Sequence, residues 1–204
     1  MSHGRRTNPY FLSDGEAECE RRLTEGMVRG MAANRQQQQE IGLMTEKVQV
    51  SLRKFWAKDI ALIQVNANER SISHKLAQYL EEQFKGWDVD CEYNRYGDDE
   101  KKVLNEELFG HWKSFPVRVN DEDAKSIFPD IIVHHRRTSD NLLVVEVKKS
   151  TTDWNSELDV QKLMALTRQK YKYGYKFGLR LVISMNGDAT ANNLEWYTDG
   201  QQIT

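Results

Sequence analysis

The sequence predicts an α/β fold: a mixed central sheet flanked by helices and preceded by an N-terminal helical segment. Three observations predict it. Apolar residues recur at helical spacing through much of the first 86 residues and again after residue 155. Two adjacent strand-like runs, 128–135 and 141–149, are joined by a short polar linker. A near-continuous apolar run over 179–185 reads as a strand covered on both sides. From residue 69 the order is helix, strand, strand, strand, helix, strand, which makes a sheet with helices packed on it.

Each element has its own signal. Ser13-Asp14-Gly15-Glu16 has capping-box spacing, and Leu23, Met27 and Met31 follow at i, i+4 and i+8. Ile41, Met44, Val48, Leu52 and Phe55 step by three or four, the stripe of a long amphipathic helix reaching about residue 62. The pattern breaks at Asn66-Ala67-Asn68, so a boundary is expected between a helical extension, 1–64, and a second domain, 65–204. Asn66 and Glu69 have N-cap spacing for the next helix, Ile72, Leu76, Leu80 and Phe84 supply its stripe, and Gly86 ends it. Val89, Cys91 and Tyr93 alternate with acids, as in a half-buried strand. Residues 98–126 read as an acidic insertion with a short helix around 103–112. The linker 137–140 sets a hairpin. A helix opening at Asn155 or Ser156 carries Val160, Leu163, Met164, Thr167 and Tyr171, and 194–197 adds a strand.

Composition narrows the function classes. Of 204 residues, 39% are hydrophobic and 3 are proline, too apolar for a disordered chain. A formal charge of -2 excludes a globally basic nucleic-acid wrapper but permits a local patch. No apolar run approaches the roughly 18 residues that cross a bilayer, and the first fifteen residues lack a secretory h-region, so a soluble cytoplasmic protein is expected. Cys19 and Cys91 show no metal spacing and are expected to be reduced thiols.

The chemistry concentrates in Phe128-Pro129-Asp130 and Leu142 to Lys148. Side chains alternate along a strand, so Leu142, Val144, Glu146 and Lys148 share one face. A carboxylate and an ammonium on so apolar a strand are costly to desolvate unless paired or metal-bound. A hairpin turn centred on Thr138 sets Asp130 opposite Glu146, at about 4.5–5.5 Å between Cβ atoms, and one centred on Ser139 makes them diagonal neighbours. In either register two close anions repel unless one is protonated or a hard divalent cation lies between them. Glu69, three residues before Ile72, falls on the buried stripe of its helix and is a third candidate acid. Its competing role is a capping-box glutamate.

These residues resemble the signature of the PD-(D/E)XK, or restriction-endonuclease-like, nuclease superfamily: Pro129-Asp130, a fifteen-residue spacer, then Glu146-Val147-Lys148. The αβββαβ core of that superfamily is similar to the predicted order, and the resemblance covers 69 to about 186. It implies a metal-dependent nuclease acting on DNA, with RNA not excluded, in a setting such as defence, restriction or repair. It further implies Mg²⁺, with Mn²⁺ as a substitute, held by Asp130, Glu146 and the Val147 carbonyl and completed by Glu69 directly or through water. Lys148 would orient the attacking water and stabilise developing charge. In-line attack would leave a 5′-phosphate and a 3′-hydroxyl. Relatives often carry a Gln or Lys on the helix after the motif, here Gln161 or Lys162.

Residues 131–180 hold ten Arg or Lys against five Asp or Glu. Arg136, Lys149, Lys162, Arg168 and Lys172 are the candidate phosphate contacts, with Tyr171, Tyr173, Tyr175 and Phe177 interleaved as candidate base-stacking groups. A solvated helix end reads equally well. His134 lies on the Asp130 face, where a structural role is favoured over a substrate contact, and adjacent His135 faces the other way. The N-terminal helices suit a homodimer interface or a partner dock. Two other classes stay open: a catalytically inactive nucleic-acid-binding module, and a helix-mediated scaffold.

Overall fold

A computed structural model describes residues 14–93, 95–96, 99–100, 102–104, 124–126, 129–151, 157–170 and 173–203. The chain divides into two compact units, Met1–Glu46 and Lys47–Thr204. The division falls inside helix α1 (Asp14–Lys58). Packing within the second unit begins at its start. Val48, Leu52, Phe55 and Trp56 are buried, Ser51 Oγ donates to the Tyr79 carbonyl at 3.1 Å, and Lys47 Nζ donates to the Gln83 carbonyl at 2.6 Å. In the first unit, Leu23, Met27, Val28 and Met31 are exposed.

The long helix also ends sooner than its stripe suggests. It stops at Lys58, and a short helix α2 (Ile60–Gln64) follows Asp59, whose carboxylate accepts from the Tyr79 hydroxyl. The chain then turns through Asn66, whose φ of 50° is a left-handed conformation that asparagine tolerates. Helix α3 (Glu69–Gln83) is capped by Asn68, not Asn66: the Asn68 side chain accepts from the Ser71 N–H at 2.8 Å. Glu69 is therefore the first helical residue. Ile72, Leu76 and Leu80 are fully buried, each burial worth roughly 1.5–3 kcal/mol. Gly86, with φ of 88°, turns the chain into the sheet.

Strand β1 (Asp88–Cys91) is followed by two small ladders, β2 (Arg95–Tyr96) with β3 (Asp99–Glu100) and β4 (Lys102–Leu104) with β5 (Ala124–Ser126). Val103 is thus on a strand rather than at the start of a helix. The rest of the expected 103–112 helix lies outside the described residues. Then come β6 (Ile131–His134), β7 (Asn141–Lys149), helix α4 (Glu157–Thr167), β8 (Phe177–Ile183), β9 (Asn193–Thr198) and β10 (Gln201–Ile203).

Six strands form one mixed sheet in the order β1-β6-β7-β8-β9-β10, with β7 and β8 parallel and every other neighbour antiparallel. The β6–β7 register pairs Ile131 with Val145 and Ile132 with Val144, the register expected of a turn centred on Thr138, and an irregularity between Val133 and His134 shifts the last pair to His134 with Asn141. That turn is held by Thr138, whose hydroxyl donates to the His135 carbonyl at 2.8 Å and accepts from the Asp140 N–H at 3.0 Å. The two faces of the sheet take different helices. Ile132 and Val144 pack with Leu163 and Leu166 of α4. Their neighbours Cys91, Ile131 and Val145 form the column facing the other way, where Cys91 Sγ lies 3.9 Å from the Ser73 carbonyl of α3. At Gly178 an added Cβ would stand 2.9 Å from Thr167, so α4 lies hard against β8. Among the described residues no helix is long and apolar enough to cross a membrane.

Candidate active site

Strand alternation from Val144 puts Glu146 and Lys148 on the α4 face of β7. Asp130 immediately precedes β6, and its Oδ2 accepts the Val147 N–H at 2.7 Å, which ties it to the middle of the motif strand. Glu69 arrives from the first turn of α3. Asp159, on the first turn of α4, is a fourth acid that the motif does not contain. The site is therefore built where two helix starts meet the C-terminal half of one strand.

The charged side chains form a chain of alternating sign. Lys148 Nζ lies 3.5 Å from Glu69 Oε2 and 3.2 Å from Asp159 Oδ2. Lys162 Nζ lies 3.5 Å from Asp159 Oδ1 and 3.3 Å from Glu146 Oε2. Glu146 is 1% exposed, and its other oxygen, Oε1, is buried with no hydrogen-bond donor. Such an orphan is rare, because desolvating a carboxylate oxygen without a partner is expensive. Among the described residues, these contacts join four carboxylates and two ammoniums in one cluster.

Burial shows in the proton affinities. Burial pushes the Glu146 carboxyl up to about 8, with Lys162 opposing and Asp130 adding to the rise. Burial also raises Asp130, partly offset by the Val147 N–H. Burial works against the charge on Lys148 and Lys162, but the carboxylates outweigh it and both amines are raised. Burial thus favours the protonated form of Glu146 and Asp130, while both lysines hold their protons.

The expected three-carboxylate ligand set is not assembled. Among the described residues no three His, Cys, Asp or Glu side chains are grouped to hold a metal. Glu69 is engaged elsewhere: its Oε1 accepts the Lys149 N–H at 3.1 Å and its Oε2 pairs with Lys148. Asp130 and Glu146 suit a hard divalent cation by oxygen-donor type and by the orphaned Oε1.

The expected cationic surround is largely elsewhere. Arg136 lies past the far end of β6 from Asp130 and is engaged by Asp88 and Asp90, its Nε 2.9 Å from Asp90 Oδ2. Arg168 follows the far end of α4, roughly 13 Å along the axis from Asp159, with its aliphatic stem against Gly200. Lys149 is at the site, but its Nζ is held by Asn66 Oδ1 at 2.9 Å and the Ala67 carbonyl at 3.1 Å. Lys162 points into the acid cluster rather than outward. Lys172 and Tyr171 lie outside the described residues. Tyr173, Tyr175 and Phe177 are buried, which removes them as base-stacking platforms. His134 is structural: it is buried, with Nε2 3.0 Å from Asp90 Oδ2.

Two buried charges escaped the sequence reading. Asp159 stands four residues before Leu163 and seven before Leu166, so stripe spacing would have found it. Arg180 interrupts an apolar strand; it pairs in register with Glu146 on one side and Glu195 on the other, and its Nη1 meets Glu195 at 3.1 Å. On the α3 side, a cleft of about 520 Å³ lined by Leu62, Arg70, His74, Cys91 and Glu92 reaches Asp130. No protein-family model, curated protein or solved structure matches the chain.

Proposed function

We propose that the protein is a metal-dependent nuclease of the PD-(D/E)XK type that hydrolyses phosphodiester bonds in DNA, acting as an endonuclease. The observation that carries this reading is the buried Glu146 oxygen without a donor, inside a cluster of carboxylates and with a lysine two residues along the same strand. The Pro129-Asp130 and Glu146-Val147-Lys148 pattern supports it, as does the helix–strand–strand–strand–helix–strand order once only the strands of the six-stranded sheet are counted.

In this reading Asp130 and Glu146 hold Mg²⁺, with Mn²⁺ as a substitute, assisted by the Val147 carbonyl. The ion, when bound, lowers the pKa of a water and polarises the scissile phosphate. Lys148 is anchored from two sides by Glu69 and Asp159, so its ammonium is fixed at the rim of the acid pair. Its raised proton affinity makes it a donor to oxygen rather than a base. It thereby orients the attacking water and stabilises charge on the phosphate oxygens. Glu69 acts through Lys148 and the Lys149 amide, not as a direct ligand.

The test is cleavage of plasmid, single-stranded DNA and RNA side by side. Mg²⁺-dependent cutting that EDTA abolishes, and that Lys148→Ala or Glu146→Ala lowers by about 10²–10³ or more, is the expected result. Cutting that survives EDTA, or variants as active as the parent, would overturn the proposal.

A further inference from the structure

Asp159 lies outside the acid–acid–lysine motif, yet it is the hinge of the charge chain. It is 3% exposed, and its two oxygens divide between Lys148 at 3.2 Å and Lys162 at 3.5 Å. Lys162 in turn divides between Asp159 and, at 3.3 Å, the Glu146 carboxylate. The ammonium therefore occupies a counter-ion position on one of the acids that a divalent cation must reach. Two positive charges cannot share that carboxylate without strong repulsion. A lysine with a single acidic partner would resist displacement, whereas one already touching two can shift its weight from one to the other.

Resting on the metal-dependent reading above, we propose that Asp159 is a positioning residue that receives Lys162 when a divalent cation binds at Glu146. The movement needed is small, since both contacts already exist and the two residues are one helical turn apart on α4. Lys162 is then a built-in counter-ion that leaves Glu146 without leaving the site. Asp159 also keeps Lys148 at its post, because its other oxygen stays engaged.

The experiment is calorimetric titration of Mn²⁺ into the full chain without nucleic acid, so that cleavage plays no part in the readout. Asp159→Asn should weaken Mn²⁺ binding about ten-fold or more, as loss of a group supporting a metal ligand does. Lys162→Met should tighten it. In the Lys162→Met background, Asp159→Asn should change affinity by less than about two-fold, because the lysine that Asp159 receives is gone and Lys148 keeps its Glu69 partner. An equal weakening in both backgrounds would mean simple loss of a nearby negative charge and would overturn the proposal while leaving the metal site standing. Absence of Mn²⁺ binding by the parent would overturn both. Should circular dichroism show Asp159→Asn unfolded, Lys162→Met alone decides: unchanged or weaker affinity sinks the inference.

Discussion

Glu146→Gln should change how the metal-free protein's stability depends on pH. An ordinary glutamate carboxyl titrates near 4.5, whereas burial holds Glu146 up at about 8. The folded state thus binds this proton more tightly than the unfolded chain. The resulting stability is fully present below about pH 4.5 and is lost as pH rises through about 8. At about 1.4 kcal/mol per pH unit the whole interval is worth at most about 5 kcal/mol. Water entry and side-chain relaxation around the ionised group reduce that, so about 2–3 kcal/mol is expected. Glutamine cannot lose the proton and removes this component. Urea denaturation in EDTA at about pH 5.5 and about pH 8.5 spans part of that interval and should show the parent losing about 1–2 kcal/mol more than the variant between the two conditions. Histidines and other groups titrate in both proteins and cancel in the comparison. Parallel pH dependence would refute the buried, under-compensated carboxylate on which the site reading stands.

Three further outcomes test the surrounding architecture by the same denaturation assay. Gly178→Ala should cost about 1–3 kcal/mol, because the new methyl would stand 2.9 Å from Thr167 Cγ2 and 3.3 Å from Leu163 Cδ2; an unchanged midpoint would mean α4 does not press on β8. Arg180→Met should destabilise by about 3 kcal/mol, since it strands the Glu195 carboxylate, and the added change Glu195→Leu should recover much of it. If the double variant is no better than the single, the pair is not the source of the loss. Asn68→Ala should cost about 1 kcal/mol by removing the cap of α3; no effect would argue for another cap.

The pattern of which features could be read from sequence has physical causes. The β6–β7 hairpin was legible because strand periodicity and the Pro129-Asp130 to Glu146-Val147-Lys148 spacing together limit the register to two choices, and the Thr138 turn selects one. Helix stripes were legible in α3, but its start was not, since Asn66 and Asn68 are both competent caps and only the fold decides between them. Glu69 therefore looked like either a cap or a ligand and is instead the anchor of Lys148. The β9–β10 hairpin had a signal in Asp199-Gly200, whose φ values of 44° and 74° are those of a tight primed turn, but the brevity of β10 hid it. The acidic insertion misled because charge density says nothing about strand or helix. The cationic patch misled more deeply: counting Arg and Lys along the chain ignores which acids they meet, and Asp88, Asp90 and Glu195 had already taken Arg136 and Arg180.

Crystals of the protein soaked in Mn²⁺ and measured for anomalous scattering test the central claim most directly. A single strong peak touching the Asp130 and Glu146 carboxylates, with Lys162 drawn toward Asp159, is the predicted result. A peak elsewhere, or none, with Lys162 still on Glu146 would contradict a metal-dependent active site in this fold.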